Sequence, residues 1–254
     1  MMLFRVLILC LLAAALPARA ETVVAGLSQT RVSITTNFAG SEILIFGAVK
    51  RDAPEPEGAQ LQVVVTLAGP SKPVTVWRKN RRFGIWVNTN SVNIDSAPSF
   101  YAVATSGPLT EAMSDTEDLR HKVSIPRAIR SVGTAGEAPD AETYIDALIR
   151  IRTEKGLYQM LPGTVNLEQN TLFRTSIALP SNLTEGDYTT RIFLTRGGEV
   201  IDAYETTIGV HKVGLERWTY TLAHKHALVY GILSLVIAIA AGWGASAAFR
   251  LMRG

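Results

Sequence analysis

Thiols are almost absent from this chain. The single cysteine, Cys10, sits in an apolar run from Val6 to Leu16, and the preceding Leu7-Ile8-Leu9 lacks the small residue expected beside a lipid-modified cysteine. Once that leader is removed, nothing remains to form a disulfide, hold an iron–sulfur cluster or act as a thiolate nucleophile. Histidine is scarce as well, at four residues: His121, His211, His224 and His226. His224 and His226 are two apart, a spacing at which helical side chains diverge, so they read as interfacial residues rather than metal ligands. Glu117 and His121 can share a helical face with Asp118 beside them, but two or three ligands without a partner set make a weak metal signal. No G-x-S-x-G elbow occurs in the body, and Gly244-Ala245-Ser246 belongs to an apolar segment. A phosphate loop and a dinucleotide fingerprint are missing too. Glu42, Asp95 and Asp187 are scattered carboxylates that sequence alone cannot pair, and Asn182-Leu183-Thr184 is a glycosylation-type triplet short enough to recur by chance. With no cofactor and no catalytic set in view, the expectation is a protein that is not an enzyme. The formal charge of +3 does not mark a basic surface either. Arg5, Arg19, Arg250 and Arg253 lie at the two ends, and the remaining basic residues are almost balanced by the 22 Asp and Glu. Nucleic acid is therefore dropped as a partner.

What is present is hydrophobic length in two places. Residues 1–20 combine Arg5, eleven apolar residues, Pro17 and Ala18-Arg19-Ala20. That is too short to span a bilayer, and its form is that of a secretory signal peptide cleaved after Ala20, with an uncleaved anchor as the alternative. Residues 227–249 hold 23 residues without a charge, bounded by Lys225 and His226 before and by Arg250 and Arg253 after. As a helix this stretch reaches about 34 Å, against about 30 Å of hydrocarbon, which predicts one transmembrane helix. A leader and one late stop-transfer segment put the body in the periplasm, the helix in the bacterial inner membrane as a single pass, and residues 250–254 in the cytoplasm. Flanking charge is too even to decide orientation, so the leader decides it. Between body and span, residues 213–226 read as a juxtamembrane interfacial segment carrying Leu215, Trp218, Tyr220 and Leu222.

The body reads as mainly β. Arg31-Val32-Ser33-Ile34-Thr35 alternates with period two, Glu42 to Val49 does so more strongly, and Leu61 to Leu67 is β-branched up to Gly69-Pro70. Val74 to Trp77 and Gly84 to Val87 form a hairpin around Arg78-Lys79-Asn80-Arg81-Arg82, and Ser99 to Ala104 is a further strand. Thr110 to Lys122 loses the alternation and predicts a short helix. The acidic Asp52–Gly58 segment and the Gly133–Pro139 stretch are connections. Asp140 can cap a helix over residues 140–155 with an apolar side of Ile145, Leu148, Ile149 and Ile151, stopped at Gly156. Strands follow at Leu172–Leu179, Tyr188–Thr195 and Val200–Val210, the last two joined at Gly197-Gly198. Leu183 to Tyr188 has the form of a tyrosine corner or of an ordinary turn before a buried tyrosine. Short strands at regular spacing predict an immunoglobulin-like β-sandwich. It is organised either as one body or as two modules, residues 21–135 and residues 136–212 with the inserted helix; two is the preferred expectation.

Two features bear on interaction. Trp77, Arg78, Lys79, Arg81, Arg82 and Trp86 place guanidinium groups near indoles, a combination that takes an anionic ligand, a lipid headgroup, a glycan or an acidic partner surface. The alternative is a solvated loop that keeps a sheet edge soluble. In the apolar helix, Gly231, Ser234, Ala238, Ala241, Ala245 and Ala248 are spaced 3, 4, 3, 4, 3, with Gly242 beside them. Small residues let membrane helices approach closely, so this seam predicts a membrane-protein partner or self-association, although Gly and Ala are common in such helices.

Several stretches together are similar to a known family. They are Ser33 to Phe38 with Gly40 to Ile43, Arg82 to Asn88, Ala97 to Val103, Glu185 to Tyr188, and Ala241-Gly242-Trp243-Gly244. They resemble an alphaproteobacterial family of transmembrane proteins for which no activity is established, over nearly the whole mature chain. The resemblance implies a membrane protein with no catalytic residues to carry over. By association alone, it implies an anion (sulfite-exporter-like) permease as partner.

Overall fold

The computed structural model describes residues 21–35, 38–51, 58–131, 141–212 and 222–253, with side chains through Ser246. The leader, the Asp52–Glu57 connection, the linker with Asp140, and Leu215, Trp218 and Tyr220 lie outside the described residues. The chain divides into two units. One is the body, Ala39–Val210 together with the chain up to Val32; the other takes Ser33–Phe38 and His211–Gly254.

The body is mainly β, and its strands follow from two kinds of sequence. Strand β1 (Glu21–Leu27) is followed by β2 (Arg31–Ile34) and by β3 (Ser41–Arg51). In β3 the alternation sends Ile43, Ile45 and Val49 inward and Glu42, Leu44 and Phe46 outward. Strand β4 (Leu61–Ala68) behaves differently: Val63, Val64, Val65, Thr66 and Leu67 are all buried, so both of its faces are covered. A continuous apolar run is what such a strand requires. Next come β5 (Ser71–Arg82), β6 (Ile85–Pro98) and β7 (Tyr101–Thr105). Where one short helix was expected over Thr110–Lys122, two stand, α1 (Leu109–Ala112) and α2 (Asp115–His121), and a third, α3 (Ile125–Ala128), follows beyond that stretch. Helix α4 (Ala141–Glu154) matches the expected 140–155 helix and buries Tyr144 and Leu148, one turn apart. The remaining strands are β8 (Tyr158–Leu161), β9 (Asn166–Glu168), β10 (Leu172–Leu179), β11 (Gly186–Arg196) and β12 (Glu199–Lys212).

Sheet topology corrects the two-module expectation. A four-stranded sheet has the order β1-β3-β10-β9, and a six-stranded sheet the order β2-β12-β11-β4-β7-β8. Strand β10 pairs along β3 with Ile177 opposite Ile43, and β11 pairs along β4 with Ile192 opposite Val65. Residues 21–135 and 136–212 thus supply strands to both sheets. Neither half closes alone, because β3 and β4 in one, and β10 and β11 in the other, would each lose the partner along one edge. The second half completes the first sheet pair instead.

The six-stranded sheet is the middle layer. Its one face meets the four-stranded sheet, contributing Val63, Val65, Leu67, Ile192 and Leu194 to a core with Ile43, Ile45, Phe173 and Ile177. From its other face Val64, Tyr101, Val103 and Phe193 join a cluster with Met113, Val123, Ile125, Ile129, Tyr144, Leu148 and Tyr158. The base of the β5–β6 hairpin is held in that same cluster through Val76, Val92 and Ile94. Buried hydroxyls mark the joints. Tyr101 donates to the carbonyls of Lys122 (3.1 Å) and Val123 (2.8 Å), and burial pushes its pKa up to about 12. Tyr188 donates to Thr184 O at 2.9 Å, four residues upstream, as the tyrosine-corner reading expects.

The second unit contains α5 (Ala227–Arg253), apolar over Ala227–Ser246 and long enough to cross a bilayer, with none of that window buried.

Candidate functional site

The basic segment is not the loop that the sequence suggested. Lys79, Asn80, Arg81 and Arg82 belong to strand β5, and the chain reverses only at Phe83-Gly84, so the ribbon is longer than expected at both ends. Its register runs Trp77 opposite Ser91 and Arg78 opposite Asn90, then Lys79 opposite Asn88, which leaves Thr89 as the extra residue of a bulge. Thr89 closes that irregularity by donating to Arg78 O at 3.2 Å and accepting from Asn80 Nδ2 at 3.1 Å. Beyond the bulge Arg81 faces Trp86 and Arg82 faces Ile85.

The six residues singled out in sequence therefore divide. Arg78 lies on the side of buried Val76, with its guanidinium carbon 4.9 Å from the centre of the Tyr144 ring; it fastens the hairpin to α4. Trp77, Lys79 and Arg81 alternate to the other side, where the pairing brings Trp86 beside Arg81. Two cations and two indoles thus share one face. Trp77 is 54% exposed and Trp86 68%, while Lys79, Arg81 and Arg82 are exposed as well.

Sequence reasoning missed Phe83 and Ile85. Phe83 is fully exposed at the turn and Ile85 is 63% exposed. Phe83 (φ 49°) and Gly84 (φ 83°) both have positive φ, the backbone of a tight two-residue hairpin turn. Asn or Gly is the usual choice at the first of these positions; a phenylalanine there carries strain. The signal was available in the Arg82-Phe83-Gly84-Ile85 string, where an aromatic stands in the place of an asparagine.

Along α5, Gly231, Ser234, Ala238, Ala241 and Ala245 form one stripe, with Gly242 at its side and Ile232, Val236, Ile239 and Trp243 exposed. The side chain of Ala248 lies outside the described residues. Ser234 Oγ donates to Tyr230 O at 2.7 Å and also lies 3.1 Å from Gly231 O, so its hydroxyl is satisfied within the helix and the stripe presents little polarity.

The Glu117–His121 pair does share a helical face, with His121 Nε2 3.2 Å from Glu117 Oε2. Asp118 does not complete a ligand set. Its Oδ1 accepts from Val123 N (3.0 Å) and Ser124 N (2.6 Å), capping the end of α2, while the His121 ring packs on Phe193 with centroids 5.2 Å apart. Among the described residues, no three His, Cys, Asp or Glu converge. Glu42, a carboxylate that sequence alone could not pair, accepts from Ser176 across the β3–β10 ladder.

A second group escaped the sequence because its members are far apart. The carboxylate of Glu21 is buried at the start of β1, where Arg51 Nε reaches it at 2.7 Å and Arg196 donates to both oxygens at 3.0 Å. Burial alone would raise its pKa, but the hydrogen bonds and charges of the two arginines outweigh it and hold the group below the ordinary carboxylate value. A polar cleft of about 630 Å³ is lined by Gln60, Gln62, Ser106, Glu111, Asn166 and Asn170, groups that donate and accept hydrogen bonds.

No curated protein matches this chain. Among solved structures, the crystal structure of Spo0M, sporulation control protein, from Bacillus subtilis, aligns at a TM-score of 0.27 and 12% identity. That alignment covers 82% of this chain and 56% of the other, and at that score nothing further follows from the likeness. The family described as "Putative transmembrane protein (Alph_Pro_TM)" matches residues 22–251, which takes in both the β-rich body and the uncovered apolar helix. The chain belongs to that family of transmembrane proteins.

Proposed function

We propose that this is a non-enzymatic accessory protein of the bacterial envelope, anchored by one pass of α5 through the inner membrane with its β-rich body in the periplasm. It acts by docking α5 against a membrane protein, or against a second copy, and an anion permease of the sulfite-exporter type is the partner that family resemblance suggests. The observation that carries this reading is the stripe of small side chains on a helix of which no residue over Ala227–Ser246 is buried. In lipid, close backbone approach replaces the hydrophobic effect as the source of helix association, and Gly, Ala and Ser permit it. The occupied state of Glu117, Asp118 and His121 supports a role without catalysis. Leucine at both Ala238 and Ala245 will abolish co-purification of the partner, or of the second copy, from detergent-solubilised membranes. The melting of the body will stay unchanged. Recovery of the wild-type chain as a lone monomer after crosslinking in intact membranes overturns the reading.

A second reading is favoured by the exposed ribbon: an envelope binding module that takes an anionic ligand, a lipid headgroup or a glycan through Trp77, Lys79, Arg81, Arg82 and Trp86.

A further inference from the structure

The end of the β5–β6 ribbon is built in a way that stability does not explain. Its base is packed, with Val76, Val92 and Ile94 in the core and Arg78 over Tyr144. Beyond the bulge at Thr89, Asn80, Arg81 and Arg82 and, across from them, Ile85 and Trp86 are all exposed. A Cβ on Gly84 would meet nothing within 4 Å. Apolar groups nevertheless gather here, with Phe83 at the turn, Trp86 on one face and Ile85 on the other. Phe83 further holds a left-handed conformation that a bulky side chain rarely adopts. Local strain of this kind persists where something other than folding selects the residue.

We infer that this tip is a lipid-contacting finger: Phe83, Ile85 and Trp86 enter the headgroup region of an anionic bilayer while Lys79, Arg81 and Arg82 engage the phosphates. Three observations select lipid among the ligands that indoles and cations accept. First, the apolar groups surround the tip instead of lying on one face. A protein partner presents a single surface and rewards a one-sided patch, whereas a headgroup layer is the same on every side. Second, the residue types are those of the membrane interface, aromatic rings with Lys and Arg whose long stems follow the apolar groups down while their charges stay at phosphate level. Third, the chain belongs to a transmembrane family and carries a helix able to cross a bilayer, so lipid is present at high local concentration without any further recruitment. Each cation near an anionic leaflet contributes about fivefold to partitioning, so three matter more than any single apolar contact.

This inference rests on the binding-module reading and narrows it to one ligand. Its test uses the full chain in nanodiscs of phosphatidylcholine, with or without one part in three of phosphatidylglycerol, made from plain lipids or from lipids brominated near the headgroup. Trp86 emission is isolated as the difference between wild-type and Trp86→Phe protein. It will lose most of its intensity in brominated anionic discs and less in brominated neutral ones. Triple replacement of Lys79, Arg81 and Arg82 by Glu will restore it. Phe83→Asn will also restore it in part, and will raise the melting temperature by about 2–4 °C, because asparagine suits the left-handed turn. Equal Trp86 emission in plain and brominated anionic discs overturns the inference. If Trp86 responds to soluble dextran sulfate but not to brominated lipid, a binding module remains and the lipid finger is overturned. Trp243, isolated in the same way through Trp243→Phe, is the control: its quenching in every brominated disc reports insertion of α5 independently of the tip.

Discussion

Two hairpins in this molecule reverse on nearly the same backbone. Gly197 and Gly198 join β11 to β12 with φ of 58° and 84°; Phe83 and Gly84 join β5 to β6 with φ of 49° and 83°. Around the first, Gly198 is buried and its neighbours reach the body. Gly198 O accepts from Ser114 N at the start of α2, and Arg196 reaches Glu21 and Ala59 O. The strand leading into it, β11, buries Ile192, Phe193 and Leu194 in succession. At the second turn a Cβ on Gly84 would meet nothing within 4 Å, and Phe83 and Ile85 beside it are large, apolar and exposed. One turn geometry therefore serves two ends. Where the body surrounds it, the residues are those that folding requires; where the body is absent, they are those that a contact outside the molecule would use.

The largest test of that contrast exchanges an aromatic for alanine on each ribbon. Phe193→Ala, in a side chain 2% exposed between the middle sheet and the helices, will cost about 3–5 kcal/mol in denaturant unfolding of the body. Trp86→Ala, equal or larger in the volume removed, will change the same midpoint by no more than about 0.5 kcal/mol. A large loss at Trp86 would mean that the tip packs on the body, and the contrast would be broken. Next in size is the acid anchor of the first hairpin. Glu21→Gln keeps the shape but gives up charge-assisted bonds from Arg51 and Arg196, a loss of about 2–3 kcal/mol. Because the folded pKa of Glu21 is lowered, its contribution is fully present above the ordinary value of 4.5 and disappears as pH falls through the depressed folded value. Between about pH 7 and about pH 3, the wild-type urea midpoint will thus fall further than that of Glu21→Gln.

How far each region could be read from sequence follows the same division. Strands with one covered face announced themselves by alternation, as in Glu42–Val49 and Leu172–Leu179, and the helix at Ala141–Glu154 by its apolar side. The uncharged run of α5 needed only its length. The pairing of β3 with β10 and of β4 with β11 could not be read, because local periodicity says which face a strand buries and nothing about its neighbour. Glu21 and Arg51 were ordinary charges until the β1–β3 register set them opposite each other and β11 brought Arg196 to the same carboxylate. Strand β6 was missed over Asn88–Asn93 for the opposite reason. Asn88, Thr89, Asn90, Ser91 and Asn93 look like loop, and only Val92 and Ile94 touch the core. In the candidate site the cations and tryptophans were legible as composition. That the segment is strand, so that alternation parts Arg78 from Trp77, Lys79 and Arg81, and that Phe83 stands at the turn, depended on where the chain reverses, which composition does not encode.

The smallest expected effect is the sharpest, since it holds backbone strain constant. Gly84 and Gly198 have φ of 83° and 84°, so an alanine at either bears the same left-handed penalty, about 1–2 kcal/mol. Their surroundings differ. A Cβ at Gly84 meets open solvent, while one at Gly198 comes within 3.2 Å of Ser114 N and 3.5 Å of its Cβ. Ser114 caps α2 by accepting from Glu117 N, and its own N–H is held by Gly198 O, so it has little room to retreat. Gly198→Ala will therefore cost more than Gly84→Ala in paired denaturant titrations, and the excess, on the order of 1 kcal/mol, measures packing alone. Equal costs would mean that the β11–β12 turn is as free of the body as the β5–β6 tip. The difference in residue choice between the two turns would then lose its physical basis, because Gly-Gly and Phe-Gly would be answering the same environment.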